Sequence, residues 1–296
     1  MKDYLVKALA FDKHVRIYAA STADTANYIG DRLNYFPSTL DAMGRLLSIS
    51  VMMGSMLKLK ETLTIRIEGN GQIGRMVSDV DAHGHVRAYC ENPHCHFEYP
   101  DGRLNCRATV GNEGIIYVIK NLNLKEPFVG STEIIDGELA KDFAYYFANS
   151  EQVPSIVALG VNVNIDTVAT SCGGYVIQLL PNTPEEIIQK IEDRVSFLPT
   201  VSEMLESGFT LEDIVKNIDS DAEILETTPV EFRCTCSKER FATGIASLGK
   251  AEIDEMIEED GHAETICHFC GNTYYFDKEE LVELKKQAKR WLWKLL

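Results

Sequence analysis

The chain has 296 residues, of which 45% are hydrophobic and 9% aromatic, and its formal net charge is −16. This length and apolar content suit one large globular domain and one small one. The negative charge argues against nucleic acid as a partner, because phosphate binding depends on clustered Lys and Arg. No run approaches the roughly eighteen uninterrupted apolar residues of a membrane-spanning helix, so we expect no membrane segment.

The first twenty residues alternate well enough between polar and apolar types to predict one or two β-strands. Asp3 lies near the front, and the charged residues Asp12 to Arg16 close the apolar stretch. This is a poor match to a secretory signal, so we expect a cytoplasmic protein.

Two helices are predicted next. Ser21 or Thr22 can cap a helix that runs toward Asn34, and Pro37 prevents it from continuing further. The second helix is indicated by an apolar stripe at helical spacing, formed by Leu40, Met43, Leu46, Leu47 and Ile49.

Residues 63–118 change to a period of two, with glycine-containing turn signals between the apolar runs, which predicts antiparallel hairpins. A helix from about 137 to 149 and strands from 161 to 178 follow. The sequence therefore predicts a mixed α+β fold with antiparallel strands for residues 1–180, rather than a regular βαβ alternation.

The segment 181–231 differs from its flanks in charge. It contains thirteen Asp or Glu against three Lys or Arg, a local balance of −10, so the remaining 245 residues carry only −6. We expect a separate structural unit here.

Three short helices are predicted within this acidic segment. Thr183, Thr200 and Thr210 each precede an acidic residue by three positions, the spacing of a helix N-cap, and Gly208 can end the second helix. Each helix is shorter than the ~12–15 residues at which an isolated helix becomes marginal in water. They must therefore dock their apolar faces on a neighbour, for which the first domain is the expected platform.

Two glycine-rich stretches resemble nucleotide-binding motifs. GNGQIG at residues 69–74 matches the dinucleotide fingerprint, but alternating residues follow it where the fingerprint needs a helix, so we interpret it as a hairpin turn. GIASLGK at residues 244–250 matches most of a P-loop, yet Ala251 lies where Mg²⁺ needs a hydroxyl and no clear strand precedes it. We treat the second match as a coincidence.

Four cysteines form two close pairs, Cys234 with Cys236 and, after thirty residues, Cys267 with Cys270. Four thiolates satisfy tetrahedral Zn²⁺, with each pair supplying one edge of the tetrahedron. We predict that these four residues hold one zinc ion per reduced chain. The alternative is four core cysteines without a metal. We favour the zinc site, because a small terminal region with a modest core gains most stability from a bound metal.

The other cysteines are scattered, and we interpret them as ordinary buried or solvated thiols: Cys90, Cys95, Cys106 and Cys172. A dithiol oxidoreductase is the enzymatic alternative. Its catalytic CxxC would open a helix within a βαβ unit, whereas Cys267–Cys270 leads into an aromatic, strand-like run that begins at Tyr274. We therefore expect a protein that is not an enzyme.

At these cysteines the sequence resembles the redox-regulated heat-shock chaperones of the heat-shock protein 33 family. CTCSKER at residues 234–240 resembles the family's first zinc half-site, and CHFC at 267–270 resembles the second. YFANSEQVP at 146–154 and GGYVIQLLP at 173–181 resemble signatures of its first domain. The resemblance implies a cytosolic holdase that binds unfolded client proteins without ATP and is inactive when reduced and zinc-bound. Oxidants such as peroxide, together with unfolding conditions, would activate it, and the activated form would be a homodimer.

Physical estimates support such a switch. Structural zinc contributes about 10–16 kcal/mol, as much as the ~5–15 kcal/mol stability of a whole domain, so metal loss should unfold a small domain. Thiols at i,i+2 and i,i+3 have the highest effective concentrations, so we predict the disulfides Cys234–Cys236 and Cys267–Cys270, which would exclude metal binding.

We divide the chain into an α+β core domain (1–180), an acidic helical linker (181–231) and a zinc-binding redox-switch domain (232–296). The main alternative function is a constitutive zinc-ribbon module that recruits a protein partner.

Overall fold

The computed structural model describes residues 2–291, with side chains through residue 288. Within this range the chain divides into two compact units, and the division falls between Arg233 and Cys234. The fold is mixed α+β with antiparallel sheets, as predicted. Among the described residues, no helix is both long and apolar enough to cross a membrane.

The first unit contains most of the regular elements. Its strands are β1 (Tyr4–Ala10), β2 (Val15–Ser21), β3 (Thr62–Gly69), β4 (Arg75–Asp81), β5 (His85–Cys90), β6 (Gly114–Asn121), β7 (Phe128–Glu133), β8 (Ser155–Val163), β9 (Ala169–Leu179), β10 (Glu223–Pro229) and β11 (Glu231–Phe232). Its helices are α1 (Ala23–Leu33), α2 (Pro37–Gly54), α3 (Cys106–Val110), α4 (Ala140–Asn149), α5 (Glu185–Ser196), α6 (Val201–Glu206) and α7 (Leu211–Ile218).

Two sheets organise this unit. Over the described residues, one has the strand order β10-β1-β2-β9-β8 and the other β11-β5-β4-β3-β6-β7. Helix α2 is buried along nearly its whole length, and its apolar residues join side chains of both sheets in one core. The glycine-rich stretch at 69–74 connects the antiparallel strands β3 and β4, which confirms that it is a hairpin turn.

The acidic segment folds onto the first sheet. Helices α5, α6 and α7 bury a set of apolar side chains against the face formed by β1, β2 and β9: Ile191, Val201, Met204, Leu211, Ile214, Val215 and Ile218. The Tyr4 hydroxyl lies at the start of α7, where it donates to Glu212 at 2.9 Å and accepts from the Leu211 amide at 3.0 Å. The expectation that the short helices dock on the first domain is confirmed.

Two of the three predicted helix caps are confirmed. Thr200 and Thr210 each accept from the amide three residues on, and the acidic residue at that position bonds back. The prediction for Thr183 was wrong. Helix α5 begins only at Glu185, after Pro184, and the Thr183 hydroxyl donates to the carbonyls of His14 and Leu180 instead.

The end of the acidic segment contains two strands that the sequence did not indicate. Strand β10 pairs antiparallel with β1, and β11 pairs parallel with β5. Most side chains of β10 are exposed, and Ile224 is its contact with the apolar cluster beneath the linker helices. The chain thus leaves the first unit along the edges of both sheets.

The second unit is small. It comprises α8 (Lys238–Leu248), α9 (Lys250–Glu255), a π-helical turn (Met256–Asp260), the hairpin β12 (His262–Ile266) and β13 (Thr273–Asp277), and α10 (Lys278–Trp291). The P-loop-like stretch runs through the end of α8 into α9, so it is not a phosphate-binding loop after a strand. The described core of this unit consists of few buried residues: Ile245, Ile253, Phe276, Leu281, Leu284 and Ala288.

Candidate metal centre

The first cysteine pair lies in an extended segment directly before α8. The Ser237 side chain caps this helix by accepting from the Arg240 amide at 3.3 Å. The Arg240 guanidinium in turn donates to the carbonyl and hydroxyl oxygens of Thr235, at 3.1 and 2.8 Å. These bonds fix the residue between Cys234 and Cys236, so that the helix start holds both thiols in place.

The second pair lies in the turn that joins β12 to β13. The Cys270 and Gly271 amides donate to the Cys267 carbonyl at 3.3 and 2.8 Å, and the Cys267 amide donates to the Asn272 carbonyl at 2.9 Å. Gly271 has φ +68°, in the left-handed region that favours glycine. The turn leads directly into β13, so the predicted strand after the second pair is confirmed.

The four sulfur atoms come together in one cluster. All four Sγ atoms lie within 4.8 Å of one another, with Cys234 to Cys267 at 3.7 Å and Cys236 to Cys270 at 3.4 Å. A Zn–S bond of about 2.3 Å places the sulfurs of a tetrahedral site roughly 3.8 Å apart. The donor type and the separations thus fit a tetrahedral thiolate site.

Electrostatics within the cluster favour a thiolate at Cys236. Burial raises the pKa of this thiol, but the hydrogen bond from the Tyr274 hydroxyl and those from the neighbouring thiols outweigh it and lower the pKa to about 7. The Tyr274 hydroxyl is 3.1 Å from Cys236 Sγ, and this hydrogen bond raises the pKa of Tyr274 to about 12. Burial raises the pKa of Cys267. A thiolate is thus favoured at Cys236, and a site of four thiolates needs a cation to balance its charge.

Tyr274 was not singled out by the sequence analysis as part of the site. The sequence shows that Tyr274 follows Cys270 by four residues, but it does not show which way the side chain points. That orientation follows from the register of the hairpin, in which Thr265 pairs with Tyr274. His262, five residues before Cys267, stacks on Tyr275 with ring centroids 5.2 Å apart.

The remaining cysteines do not join a metal cluster. Among residues 2–291, no second group of three or more His, Cys, Asp or Glu side chains has a comparable arrangement. Cys95, Cys106 and Cys172 are buried, and Cys90 is half-buried. Burial raises the pKa of Cys90 and of Cys172 to about 12, which disfavours the reactive thiolate form in the folded chain.

Comparison with known proteins identifies the family. The family model described as "Hsp33 protein" matches residues 3–277. The chain belongs to the Hsp33 family. It is 50% identical to the "33 kDa chaperonin" of Bacillus pumilus and to that of Bacillus subtilis, in each case over 290 residues that cover 97% of this chain and 100% of the relative. The crystal structure of the 33 kDa chaperonin homologue from Thermotoga maritima superposes on this chain with a TM-score of 0.91 at 29% sequence identity. The superposition covers 98% of this chain and 100% of the Thermotoga chain.

Membership in the Hsp33 family supports a chaperone function for this chain, and it confirms the predicted resemblance to this family. The relatives are named as chaperonins and not as enzymes. Four close cysteines in an Hsp33 chain also suggest zinc binding and a redox-active centre.

Proposed function

We propose that this Hsp33-family chain is a redox-regulated holdase, which binds unfolding proteins without ATP and prevents their aggregation under oxidative and heat stress. Residues 1–180 act as the core domain, 181–231 as the linker and 232–296 as the switch domain. The observation that carries the proposal is the cluster of four Sγ atoms within 4.8 Å of one another, in a unit with a small core.

In the reduced state, Cys234, Cys236, Cys267 and Cys270 would hold one Zn²⁺, which supplies cross-links between the start of α8 and the β12–β13 turn. Structural zinc contributes about 10–16 kcal/mol of apparent folding free energy. The few buried side chains of this unit do not replace that contribution, so the unit unfolds when the four thiols stop binding metal.

Oxidation ends metal binding because disulfide sulfurs are no longer thiolate ligands. Each pair of thiols loses two electrons and two protons to one peroxide molecule, which forms one disulfide and two water molecules. We propose the bonds Cys234–Cys236 and Cys267–Cys270. Sγ atoms of the two pairs also lie close to each other, with Cys234 to Cys267 at 3.7 Å and Cys236 to Cys270 at 3.4 Å. In a tetrahedral cluster all edges are similar, so the short spacing along the chain decides the pairing once the unit unfolds.

The linker transmits this event. Its helices are 12, 6 and 8 residues long, at or below the ~12–15 residues at which an isolated helix becomes marginal in water. When the switch domain unfolds, the linker loses its anchor, and its acidic residues favour expansion. Undocking exposes two apolar surfaces, the linker's own and the face of β1, β2 and β9 that it covered. Both can hold unfolded clients, and the exposed surfaces also support a homodimer of the activated, cytoplasmic protein.

The proposal is tested by treating the full-length zinc-loaded protein with peroxide. We expect the release of one zinc per chain, the loss of four thiols and the suppression of aggregation of a heat-unfolded client, measured by light scattering. A constitutive zinc ribbon would keep its metal and its thiols under mild oxidant, and this result would contradict the proposal.

A variant separates the ligands from the other thiols. Cys267→Ser should lose zinc, because a hydroxyl is a poor zinc ligand at neutral pH, whereas the control Cys90→Ser should bind one zinc per chain. Unchanged zinc content in Cys267→Ser would remove the metal assignment. Peptide mapping after peroxide tests the pairing, which is wrong if the main bonds join the two pairs.

A further inference from the structure

Strand β10 covers the edge of β1. It is the outermost strand of the first sheet, and its register pairs Leu5 with Thr228, Val6 with Thr227 and Lys7 with Glu226. Residues 223–229 belong to the segment that we propose to undock. The edge of β1 is therefore closed in the reduced protein by a strand that departs with the linker.

The direction of the backbone groups along β1 follows from one hydrogen bond. The Val230 amide donates to the Asp3 carbonyl at 3.1 Å, so the backbone groups of Asp3 face β10. Successive residues of an antiparallel strand alternate in this direction. Leu5 and Lys7 therefore also present their amides and carbonyls to β10, whereas Val6 presents its own to β2.

Strand β10 is the edge of this sheet before undocking and β1 is the edge afterwards, and the two strands differ in how well they resist pairing with a further strand. Strand β10 carries features that discourage a further strand: most of its side chains are exposed, Glu223 and Glu226 are acidic, and Pro229 lacks an amide at a position that faces outward. Strand β1 has none of these. Its sequence YLVKALA has Lys7 as its charged residue, and Val6, Ala8 and Ala10 lie in the buried cluster that the linker helices cover.

We propose that the uncovered edge of β1 is a client-binding site. An extended segment of an unfolded protein replaces β10 and pairs antiparallel with residues 4–9, so that clients bind by strand addition as well as by apolar contact. This inference rests on the proposed function, because it requires the linker to undock.

The open edge and the uncovered apolar face are continuous, since the side chains of Val6 and Ala8 on strand β1 lie in that face, between the residues whose backbone groups form the edge. A foreign segment with apolar side chains at alternate positions satisfies the edge and the face together. Strand β10 brings only Ile224 to this face, whether it comes from the same chain or from a second copy. An apolar client segment is thus the better occupant of the open edge.

The test is residue-resolved hydrogen exchange on the full-length protein in three states: reduced, peroxide-oxidised, and oxidised with reduced, carboxymethylated α-lactalbumin as a permanently unfolded chain. Oxidation should lower the protection of the Leu5 and Lys7 amides by about tenfold or more, and the unfolded chain should restore it. The Val6 amide is the internal control, because it faces β2 and should stay protected throughout.

Each other outcome overturns the inference in a distinguishable way. If α-lactalbumin binds while the Leu5 and Lys7 amides stay exposed, clients do not add to this edge, although the proposed holdase function stands. If those amides stay protected after oxidation in proportion to protein concentration, a second copy occupies the edge. If oxidised protein binds no unfolded chain at all, the proposed function itself has failed.

Discussion

The docked linker offers a direct way to change the activation threshold without touching a cysteine. Ile214 lies on α7 with 1% of its surface exposed and packs in the cluster between the linker helices and the first sheet. Truncation of a buried Ile to Ala costs about 2–5 kcal/mol, which includes the cavity left behind. Alanine is also the better helix former, so the loss in Ile214→Ala comes from packing and not from helix propensity.

A short surface helix can relax into part of the cavity, so we take about 2–4 kcal/mol as the loss of docking free energy. Because 1.4 kcal/mol is a factor of ten, the ratio of undocked to docked linker should rise about 30- to 700-fold in Ile214→Ala. The zinc site is untouched, so this shift occurs in the reduced protein. Hydrogen exchange of residues 187–218 should speed up accordingly, and less oxidant or heat should be needed to suppress client aggregation.

The matched control is Ile165→Ala, the same change at a loop residue that is fully exposed. It should alter neither exchange in the linker nor activation. If Ile214→Ala undocks the linker and the oxidant requirement stays that of the wild type, the linker does not gate activity. If exchange in the linker is unchanged, the packing argument itself is wrong.

Two further predictions concern the same segment. Thr210→Ala removes one half of a capping box and should destabilise α7 by ~1 kcal/mol, measured as faster exchange of its amides in the reduced protein; an unchanged rate would mean that docking alone holds the helix. Acid should loosen the linker. A hydrogen bond from the Lys7 ammonium lowers the pKa of Glu226 from its ordinary value of 4.5, and one from the Thr210 hydroxyl lowers the pKa of Asp213 from 3.8. The stabilisation that these two carboxylates contribute is therefore complete above their ordinary pKa values, and it is lost as the pH falls through the lowered values. Linker protection, corrected for intrinsic exchange, should therefore be constant near neutral pH and decrease below pH 4.5; a decrease already near neutrality would contradict this assignment.

The sequence predicted the cysteine cluster well because its signal is local. The cysteines of each pair are only two or three positions apart, so each pair is close in most backbone conformations, and the turn at Gly271 provides the conformation of the second pair. The short helices were also visible, since the caps at Thr200 and Thr210 involve residues three positions apart.

The features that the sequence did not indicate depend on residues far away in the chain. Strand β10 has little alternation and contains Pro229, and it is a strand because β1 provides hydrogen-bond partners more than two hundred residues away. Thr183 has the spacing of a cap, but the carbonyl of His14 competes for its hydroxyl across the first hairpin. Tyr274 joined the site through a strand register, which residue spacing does not reveal.

The burial of Cys95, Cys106 and Cys172 has a practical consequence for any study of the oxidised protein. These thiols lie in or beside the core of the first unit, where a reagent reaches them only after that core opens. Alkylation of these three cysteines therefore reports whether the core of the first unit has unfolded. Under the proposed mechanism, oxidant doses that consume four thiols per chain and leave these three unlabelled act on the switch domain alone. Doses that label them mark the point at which the core of the first unit has opened.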